Sequence, residues 1–304
     1  MLLASAMVVT GYWLQRERLI WLAWFLTIAA CGTCWYITIA EAPLSRMFSG
    51  IIVLLCGMKI VVASADRPGS KRLNWKQWLS FSIGWVGMRT EIFKVTPDGP
   101  LRGARTMLQK GFGRLFAGAA LLLAIRVLVA CMPIVLRFPV IVTALLMISY
   151  SLVLHFGILS ISAGVWRLRG VNTWYLFNSP ARSLTVGEFW SKRWNVAFSE
   201  MITIGVYRPV KKRAGTRIAV IAGFLFSGIL HELAITLPVR SGYGLPLVYF
   251  FIQGLIVTGE KAGIKITGSI WTACCVVLPL PLLFPPLFTR EIIWPLAGLT
   301  FPAT

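Results

Sequence analysis

Acidic residues and histidines are scarce in this chain, whose 304 residues hold only 10 Asp and Glu together and two His. No cluster in the sequence offers the three ligands that a catalytic metal needs, so we expect no metal and no cofactor. Charged residues make up only 13% of the chain, whereas hydrophobic residues make up 57%. A composition this apolar excludes an ordinary soluble domain.

The six cysteines give no sign of a disulfide framework. All of them lie in apolar stretches (Cys31, Cys34, Cys56, Cys131, Cys274 and Cys275). Cys31 and Cys34 have the spacing of a redox or metal motif, but no charged residue or histidine lies near them in the sequence. We interpret both as packing residues.

The hydrophobic residues form continuous blocks that are long enough to cross a bilayer. Because these blocks do not alternate with polar residues, they predict helices and not a membrane barrel. The fold class that we predict is all-α: a polytopic integral membrane protein with about eight transmembrane helices and additional interfacial helices. The predicted spans include residues 19–40 (after a basic cap at Arg16-Glu17-Arg18), 47–65, 114–134, 138–165, 217–239, 245–258 and a proline-broken span or hairpin over 267–288.

We expect a single membrane domain over residues 1–304. Its parts are N-terminal spans with a basic loop (1–110), paired spans (111–165), a core that carries the functional residues (166–265) and kinked C-terminal spans (266–304). Within the basic loop, the aromatic stretch from Trp75 to Trp85 predicts a helix lying in or dipping into the membrane interface. Lys59, near the end of its span, is expected to snorkel.

The net charge of +20 is concentrated between the spans. Residues 66–110 carry nine Lys and Arg against three acids, and residues 166–217 carry ten against two. Both loops, together with Glu260, Lys261 and Lys265, are therefore expected on the cytosolic side, with membrane lipids and not nucleic acid as partners. The surplus charge also suits a polyanionic soluble substrate, with anionic lipid headgroups as the alternative.

His231 and Glu232 form an ionisable pair inside a stretch that is otherwise apolar. On a helix, His231 lies roughly 21 Å from Arg217. This depth places the imidazole within the hydrocarbon layer. An ionisable side chain at this depth is by default a functional-site hypothesis. The alternative is a neutral histidine that is hydrogen-bonded to a neighbouring helix. For His155, which has no acidic neighbour in the sequence, packing is the favoured interpretation.

The stretch before this helix combines aromatic and basic residues. Thr185 and Glu188 have the spacing of a capping box, which predicts a helix continuing through Glu200. One face of that helix carries Phe189, Trp190 and Trp194, with Lys192 and Arg193 beside them and Asn195 as the single amide. This composition suits the cytosolic interface or a re-entrant position.

At these residues the chain resembles the wax-synthase-like branch of the membrane-bound O-acyltransferases. The resemblance rests on Phe189-Trp190-x-x-Arg193-Trp194-Asn195, on Ser227-Gly228-x-x-His231-Glu232, on the upstream stretch NSPARSLTVGEFW (residues 178–190) and on Val206-Tyr207-Arg208-Pro209. It covers about residues 175–260, whereas the first 110 residues match only in hydropathy.

The resemblance implies transfer of an acyl group from acyl-CoA, a co-substrate, to the hydroxyl of an alcohol or lipid acceptor, in a tunnel through a helical bundle. It assigns His231 as the catalytic histidine and Asn195, which can be an aspartate in relatives, as its polar partner. An imidazole can act as general base for an attacking alcohol, and Asn195 can donate to the oxyanion or position the hydroxyl. Candidate substrate-binding residues are Trp190, Trp194, Arg193, Lys192, Glu232, Ser227, Lys211, Lys212 and Arg213, with a structural role for Glu232 left open.

Three other functions remain open at this point. Within the same chemistry, the acyl group can be short, such as acetyl, and the acceptor a hydroxylated sterol, terpenoid or secondary metabolite. A proton-coupled transporter would also use an intramembrane His-Glu pair, although no sequence repeat supports it. The third is a non-catalytic lipid-binding scaffold. The membrane is either a bacterial inner membrane or the endoplasmic reticulum.

Overall fold

The computed structural model describes residues 2–15, 19–65, 71–95, 98–264 and 266–302. The basic cap at Arg16-Glu17-Arg18 and the predicted cytosolic Lys265 lie outside these residues. Throughout the described part the chain forms helices and turns, with no β-strand. The predicted all-α class is therefore confirmed.

Five helices are long and apolar enough to cross a membrane, and the number rises to six if Ser269–Leu283 and Pro286–Leu296 count as one broken span. The chain is thus a polytopic integral membrane protein, but the predicted count of about eight spans is not confirmed. Two shorter apolar helices are Leu2–Trp13, with 12 residues, and Leu245–Lys261, with 17, and the second lies where a span over 245–258 is predicted. The five long helices are Ile20–Ile37, Pro43–Ser64, Ala104–Cys131, Pro139–Leu168 and Val196–Val239.

The chain divides into two compact units, so the prediction of a single domain stays a prediction. The first unit comprises Met1–Thr96 and Asn178–Phe284, and the second comprises Pro97–Phe177 and Pro285–Thr304. The shorter described elements of the first unit are Trp75–Ser82, Glu91–Phe93, Pro180–Arg182, Val186–Glu188, Phe189–Arg193, Ser269–Val277 and Leu280–Leu283. Those of the second unit are Pro133–Arg137, Pro286–Phe288, Thr289–Ile293 and Trp294–Leu296.

The second unit is built on a close helix pair, Ala104–Cys131 against Pro139–Leu168. Small residues let the two backbones approach: a Cβ on Gly118 would lie 2.9 Å from the Ser149 carbonyl oxygen. The Ser149 hydroxyl donates to the Gly118 carbonyl at 2.8 Å, which adds an interhelical hydrogen bond. His155 lies in this pair, with its ring centroid 4.5 Å from that of Phe177. This contact agrees with a packing role.

The N-terminal part of the first unit contains the predicted aromatic helix and corrects one expectation. The helix Trp75–Ser82 forms, with Asn74 and Gln77 as a capping box, and Trp78 and Trp85 are almost fully buried against other parts of the protein. These two indoles therefore pack inside the unit, and the position of the helix at a membrane interface stays a prediction.

Lys59 is the correction, because it does not snorkel. Its side chain is completely buried, and its ammonium group donates to the carbonyls of Trp85 at 2.8 Å and Gly87 at 2.5 Å. The ammonium also lies 3.9 Å from the ring centroid of Phe81. Protein carbonyls and an aromatic face thus take the place of water around this cation.

The helix Arg208–His231 carries the histidine and packs on Leu245–Lys261. A Cβ on Gly228 would lie 2.8 Å from the Leu247 Cα, so only glycine permits this approach. Gly215, at φ 81°, breaks the helix after its basic first turns. The apolar part that follows therefore forms a separate helical segment leading to His231.

Candidate active site

The segment that precedes the histidine helix is a series of short turns. The Thr185 hydroxyl accepts from the Glu188 amide at 3.0 Å, and the chain continues as a π-helix over Phe189–Arg193. The helix then stops, because Trp194 is extended and Asn195 is left-handed at φ 44°. The capping residue was therefore predicted, but the continuous helix through Glu200 was wrong.

Asn195 has a defined local role at this break. Its side-chain oxygen accepts from the Phe198 amide at 3.2 Å and so caps the helix Val196–Ile202. Asparagine is among the few residues that tolerate the left-handed conformation and also cap well. Because the oxygen is used in the cap, the two amide hydrogens remain as donors.

His231 is held by its own helix. Its Nδ1 lies 2.7 Å from the Ser227 carbonyl oxygen, which can only accept a hydrogen bond. Nδ1 must therefore carry the proton, which leaves Nε2 with a free lone pair. The ring packs against Phe250, with centroids 4.4 Å apart, and Phe198, at 5.5 Å. A general base needs this tautomer and this fixed orientation.

A cavity of about 650 Å³ lies beside this histidine. His231 and Asn195 both line it, as do four further predicted residues, Trp190, Lys192, Trp194 and Ser227. Glu188, Glu260 and Lys261 also belong to its walls and give it a polar part. The imidazole is therefore not walled off by side chains, and the cavity connects it with cationic groups.

The histidine helix supplies one wall of the cavity at a regular spacing. Ala219, Gly223, Ser227 and His231 are four residues apart and all line the space. Residues at this spacing share one helix face. The Ser227 hydroxyl donates to the Gly223 carbonyl at 2.9 Å, so its polar group is occupied within the helix. The first three of these residues are small, and their size leaves the space that the cavity occupies.

Glu232 does not line the cavity. Its carboxylate accepts from the amides of Gly244 at 2.9 Å and Leu247 at 3.3 Å, and from the Thr236 hydroxyl. The amides of Gly244 and Leu247 lie at the start of the helix Leu245–Lys261, where a negative charge is favourable. The partners are thus two backbone amides of another helix and one hydroxyl, and this geometry favours the structural role.

Replacing Glu232 with alanine is expected to lower the free energy of unfolding by about 1–3 kcal/mol, because buried amides lose their acceptor. Glu232→Gln keeps one acceptor oxygen and should lie between this variant and the wild type. Thermal unfolding in detergent measures the loss. Turnover per folded molecule should stay near the wild-type value; a large loss of turnover at unchanged stability would instead make Glu232 catalytic.

Arg193 also does not line the cavity, because it is paired within its own segment. Its guanidinium contacts the Glu188 carboxylate through Nε and through a terminal nitrogen, both at 2.8 Å. The Arg193 carbonyl accepts from the Asn178 amide at 2.8 Å. Arg193 therefore ties the loop at Asn178 to the π-helix and holds that helix in place.

The same pair predicts a pH dependence of stability. The Leu184 amide and the Arg193 guanidinium both donate to Glu188 and lower its pKa below the ordinary value of 4.5. A lowered pKa in the folded state stabilises the protein above the ordinary pKa, and the effect is lost as the pH falls through the folded value. Glu188→Gln should therefore melt below wild type at pH 7, and the difference should shrink below about pH 4.

Melting temperatures of both proteins across the pH range test this expectation. Glu41→Gln is the matched control, because Glu41 is exposed and its replacement should leave the melting temperature at the wild-type value. A Glu188→Gln difference that stays constant down to pH 3 would contradict an ionic contribution.

The three basic candidates after Tyr207 lie on the exposed first turns of the histidine helix. Lys211 is the one with a contact near the site, since its ammonium lies 5.8 Å from the Tyr207 ring, and Tyr207 lines the cavity. Lys212 and Arg213 are exposed and do not line the cavity.

The sequence interpretation missed Phe250, Gln253, Glu260 and Lys261. Glu260 accepts from the amides of Val186 at 2.7 Å and Gly187 at 2.9 Å, and so joins the two segments that carry the site. Lys261 lies 5.4 Å from the Tyr207 ring. The one available signal was the short run of Glu260 and Lys261 at the end of an apolar helix. Among the described residues no three His, Cys, Asp or Glu side chains form a potential metal site.

Comparison with known proteins identifies relatives of this part of the chain. Residues 174–253 match the Membrane bound O-acyl transferase family. A probable long-chain-alcohol O-fatty-acyltransferase 9 from Arabidopsis thaliana is 29% identical over 136 residues, 38% of this chain and 40% of the relative. A second Arabidopsis protein, probable long-chain-alcohol O-fatty-acyltransferase 1, is 30% identical over 42% of this chain and 40% of its own length.

The long-chain-alcohol O-fatty-acyltransferase of Simmondsia chinensis is 24% identical over 32% of this chain and 30% of its own length. The chain therefore spans less than half the length of the relatives that it matches. The predicted resemblance to the wax-synthase-like branch is confirmed over this stretch. The matched residues include Asn195 and His231.

Proposed function

Because residues 174–253 match the Membrane bound O-acyl transferase family, we propose that this protein transfers an acyl group from acyl-CoA to the hydroxyl of an alcohol. The observation that carries the proposal is the setting of His231, whose Nδ1 is bound to the Ser227 carbonyl and whose ring lines a cavity. The relatives' names give long-chain alcohols and fatty acyl groups as the substrates that we propose for this chain.

In this reaction His231 is the general base. Its free Nε2 accepts the proton of the alcohol while the alcohol oxygen attacks the thioester carbonyl carbon. The C–S bond then breaks, and the His231 imidazolium gives the proton that it took from the alcohol to the leaving thiolate of coenzyme A. A thiolate is a good leaving group, so no covalent enzyme intermediate is required. General-base assistance of this type contributes ~10²–10⁴-fold to a rate.

Asn195 supplies the hydrogen-bond donor for the negative charge that develops on the substrate. The tetrahedral intermediate places a negative charge on the former carbonyl oxygen, and a fixed amide donor stabilises that charge. The side-chain oxygen of Asn195 already caps the helix Val196–Ile202, so its NH₂ group is the part that can donate. The cap also fixes the side chain before the substrate arrives, which is the condition for effective stabilisation of an oxyanion.

The shape of the cavity suits acyl-CoA as donor. From Ala219 to His231 the small-residue wall runs for about 18 Å along the helix, a length that fits an extended pantetheine arm. At the polar part, Lys192 and Lys261 are the cations that we assign to the phosphates of the nucleotide. With this side on the cytosol, the donor reaches the site equally from a bacterial cytoplasm or from the cytosolic face of the endoplasmic reticulum.

The direct test is esterification by purified protein. Labelled palmitoyl-CoA and acetyl-CoA are each offered with a panel of alcohols that ranges from long-chain primary alcohols to sterols, and labelled ester is extracted and separated. We expect ester from palmitoyl-CoA and a long-chain alcohol. Ester from acetyl-CoA and a sterol alone would transfer the assignment to short-chain chemistry. No ester from any pair, with folded protein in detergent and in vesicles, would reject the proposal.

A further inference from the structure

The break in the helix after Ser269–Val277 exposes a carbonyl that another helix uses. In a regular helix the Cys275 carbonyl would accept from the amide of residue 279, but residue 279 is proline and has no N–H. The Gln253 side-chain amide instead donates to this carbonyl at 2.9 Å. The Tyr249 hydroxyl, one turn earlier on the same helix, donates to the next carbonyl, that of Val276, at 3.0 Å.

The hydrogen bond to Cys275 fixes the orientation of the Gln253 side-chain amide. A carbonyl oxygen only accepts, so the NH₂ end of Gln253 must face Cys275. The oxygen end is then presented on the other side, where it accepts from the indole N–H of Trp190 at 3.1 Å. Gln253 is completely buried, so no water competes for either hydrogen bond.

Trp190 is connected to the histidine through Phe250. The indole lines the cavity, and its ring centroid lies 5.3 Å from that of Phe250. Phe250 in turn packs on the His231 ring at 4.4 Å. An indole that rotated or tilted would change the support of Phe250 and the wall that the acyl thioester contacts. The position of the indole is set at its N–H by Gln253.

We propose that Gln253 is a positioning residue for catalysis, and that it acts by fixing the Trp190 indole and thereby the cavity wall beside His231. The inference rests on the proposed function, because its effect is on the rate of acyl transfer. Gln253 itself does not line the cavity, so it acts through Trp190 and not on the substrate. Misplacement of a reacting group by a small distance is enough to lower a rate by a large factor.

A double-mutant cycle tests this inference. Gln253→Leu removes both hydrogen bonds at similar volume, and Trp190→Phe removes the indole N–H. Each single variant is expected to lower kcat about 10-fold, measured at saturating palmitoyl-CoA and long-chain alcohol per folded molecule. If Gln253 acts through the indole, the double variant should be no slower than the slower single variant.

Thr258→Val is the matched control on the same helix. The Thr258 hydroxyl donates only within its own helix, to the Gly254 carbonyl at 2.7 Å, and kcat should stay at the wild-type value. A Gln253→Leu variant with wild-type kcat per folded molecule would overturn the inference, and so would single losses that multiply to about 100-fold in the double variant.

Thermal unfolding of the same four proteins separates this inference from the proposed function. Wild-type protein that forms no ester rejects the proposed function, whereas the melting cycle still reports whether residues 190 and 253 are coupled. Coupled melting shifts would support the hydrogen bond between them. Additive shifts would show that Gln253 does not fix Trp190 and would overturn the inference on their own.

Discussion

Replacing His231 with alanine is expected to lower the rate of ester formation at least ~10²–10⁴-fold, because the attacking alcohol then loses its general base. The effect should appear in kcat at saturating donor and acceptor, since proton removal occurs in the chemical step. The measurement is the initial rate of labelled ester formation, divided by the amount of protein that elutes folded from a sizing column.

Two further variants, one at His231 and one at His155, separate loss of the base from loss of packing. His231→Asn places an amide N–H near the position of Nδ1, so it can still donate to the Ser227 carbonyl, but it offers no base. It should be as inactive as alanine and melt nearer to wild type. His155→Ala is the matched control: this other histidine packs on Phe177, and its loss should lower stability while turnover per folded molecule is kept. Equal turnover by wild type and His231→Ala would end the assignment of a general base.

Loss of the Asn195 side chain is expected to give the second largest effect. Removal of one oxyanion donor costs about 10²–10³-fold in kcat in enzymes that use such donors. Asn195→Ala should reach this range and should also lose stability of about 1 kcal/mol, because the helix cap and the tolerated left-handed conformation are both lost. Rates per folded molecule and melting temperatures distinguish the two contributions.

Asn195→Asp tests which end of the amide is used. A carboxylate keeps the acceptor for the Phe198 amide, so the cap and the melting temperature should remain close to wild type. The donor is gone, and kcat should fall by about 10²-fold. If this variant keeps its activity, residue 195 works as an acceptor that positions the alcohol hydroxyl, and the oxyanion assignment is wrong.

The sequence was sufficient for the class of fold and for six of the residues that line the cavity. A long, continuous apolar block in a membrane has to satisfy its backbone hydrogen bonds within itself, which a helix does. Hydropathy was therefore enough to predict the all-α membrane class. Trp190, Trp194 and Asn195 were found through the motif at residues 189–195, and His231 through the motif at residues 227–232. The fixed order of these two motifs made the combination informative. His231 and Asn195 do line the same cavity, although their chemical roles stay proposals.

Two of the errors concern contacts between residues that are distant in the sequence, and the third concerns a local break in the backbone. Lys59 was expected to reach water because a local pattern cannot reveal the carbonyls of Trp85 and Gly87 that surround it. The break at Asn195 was missed because residues 185–200 read as one amphipathic helix in the sequence. Nothing in that pattern indicates the left-handed backbone of Asn195 or its cap on Phe198. Gln253 was missed because its importance depends on the proline at position 279 of another helix.

The four-residue spacing that leads to His231 also has a geometric consequence for what can travel along it. Four residues turn a helix by about 400°, so each step advances the wall by about 40° around the axis. Over the three steps from Ala219 to His231 this row of lining residues therefore turns through roughly 120° about the helix axis. A donor arm that lay along the row would have to turn with it, which a flexible chain does more easily than a rigid ring system.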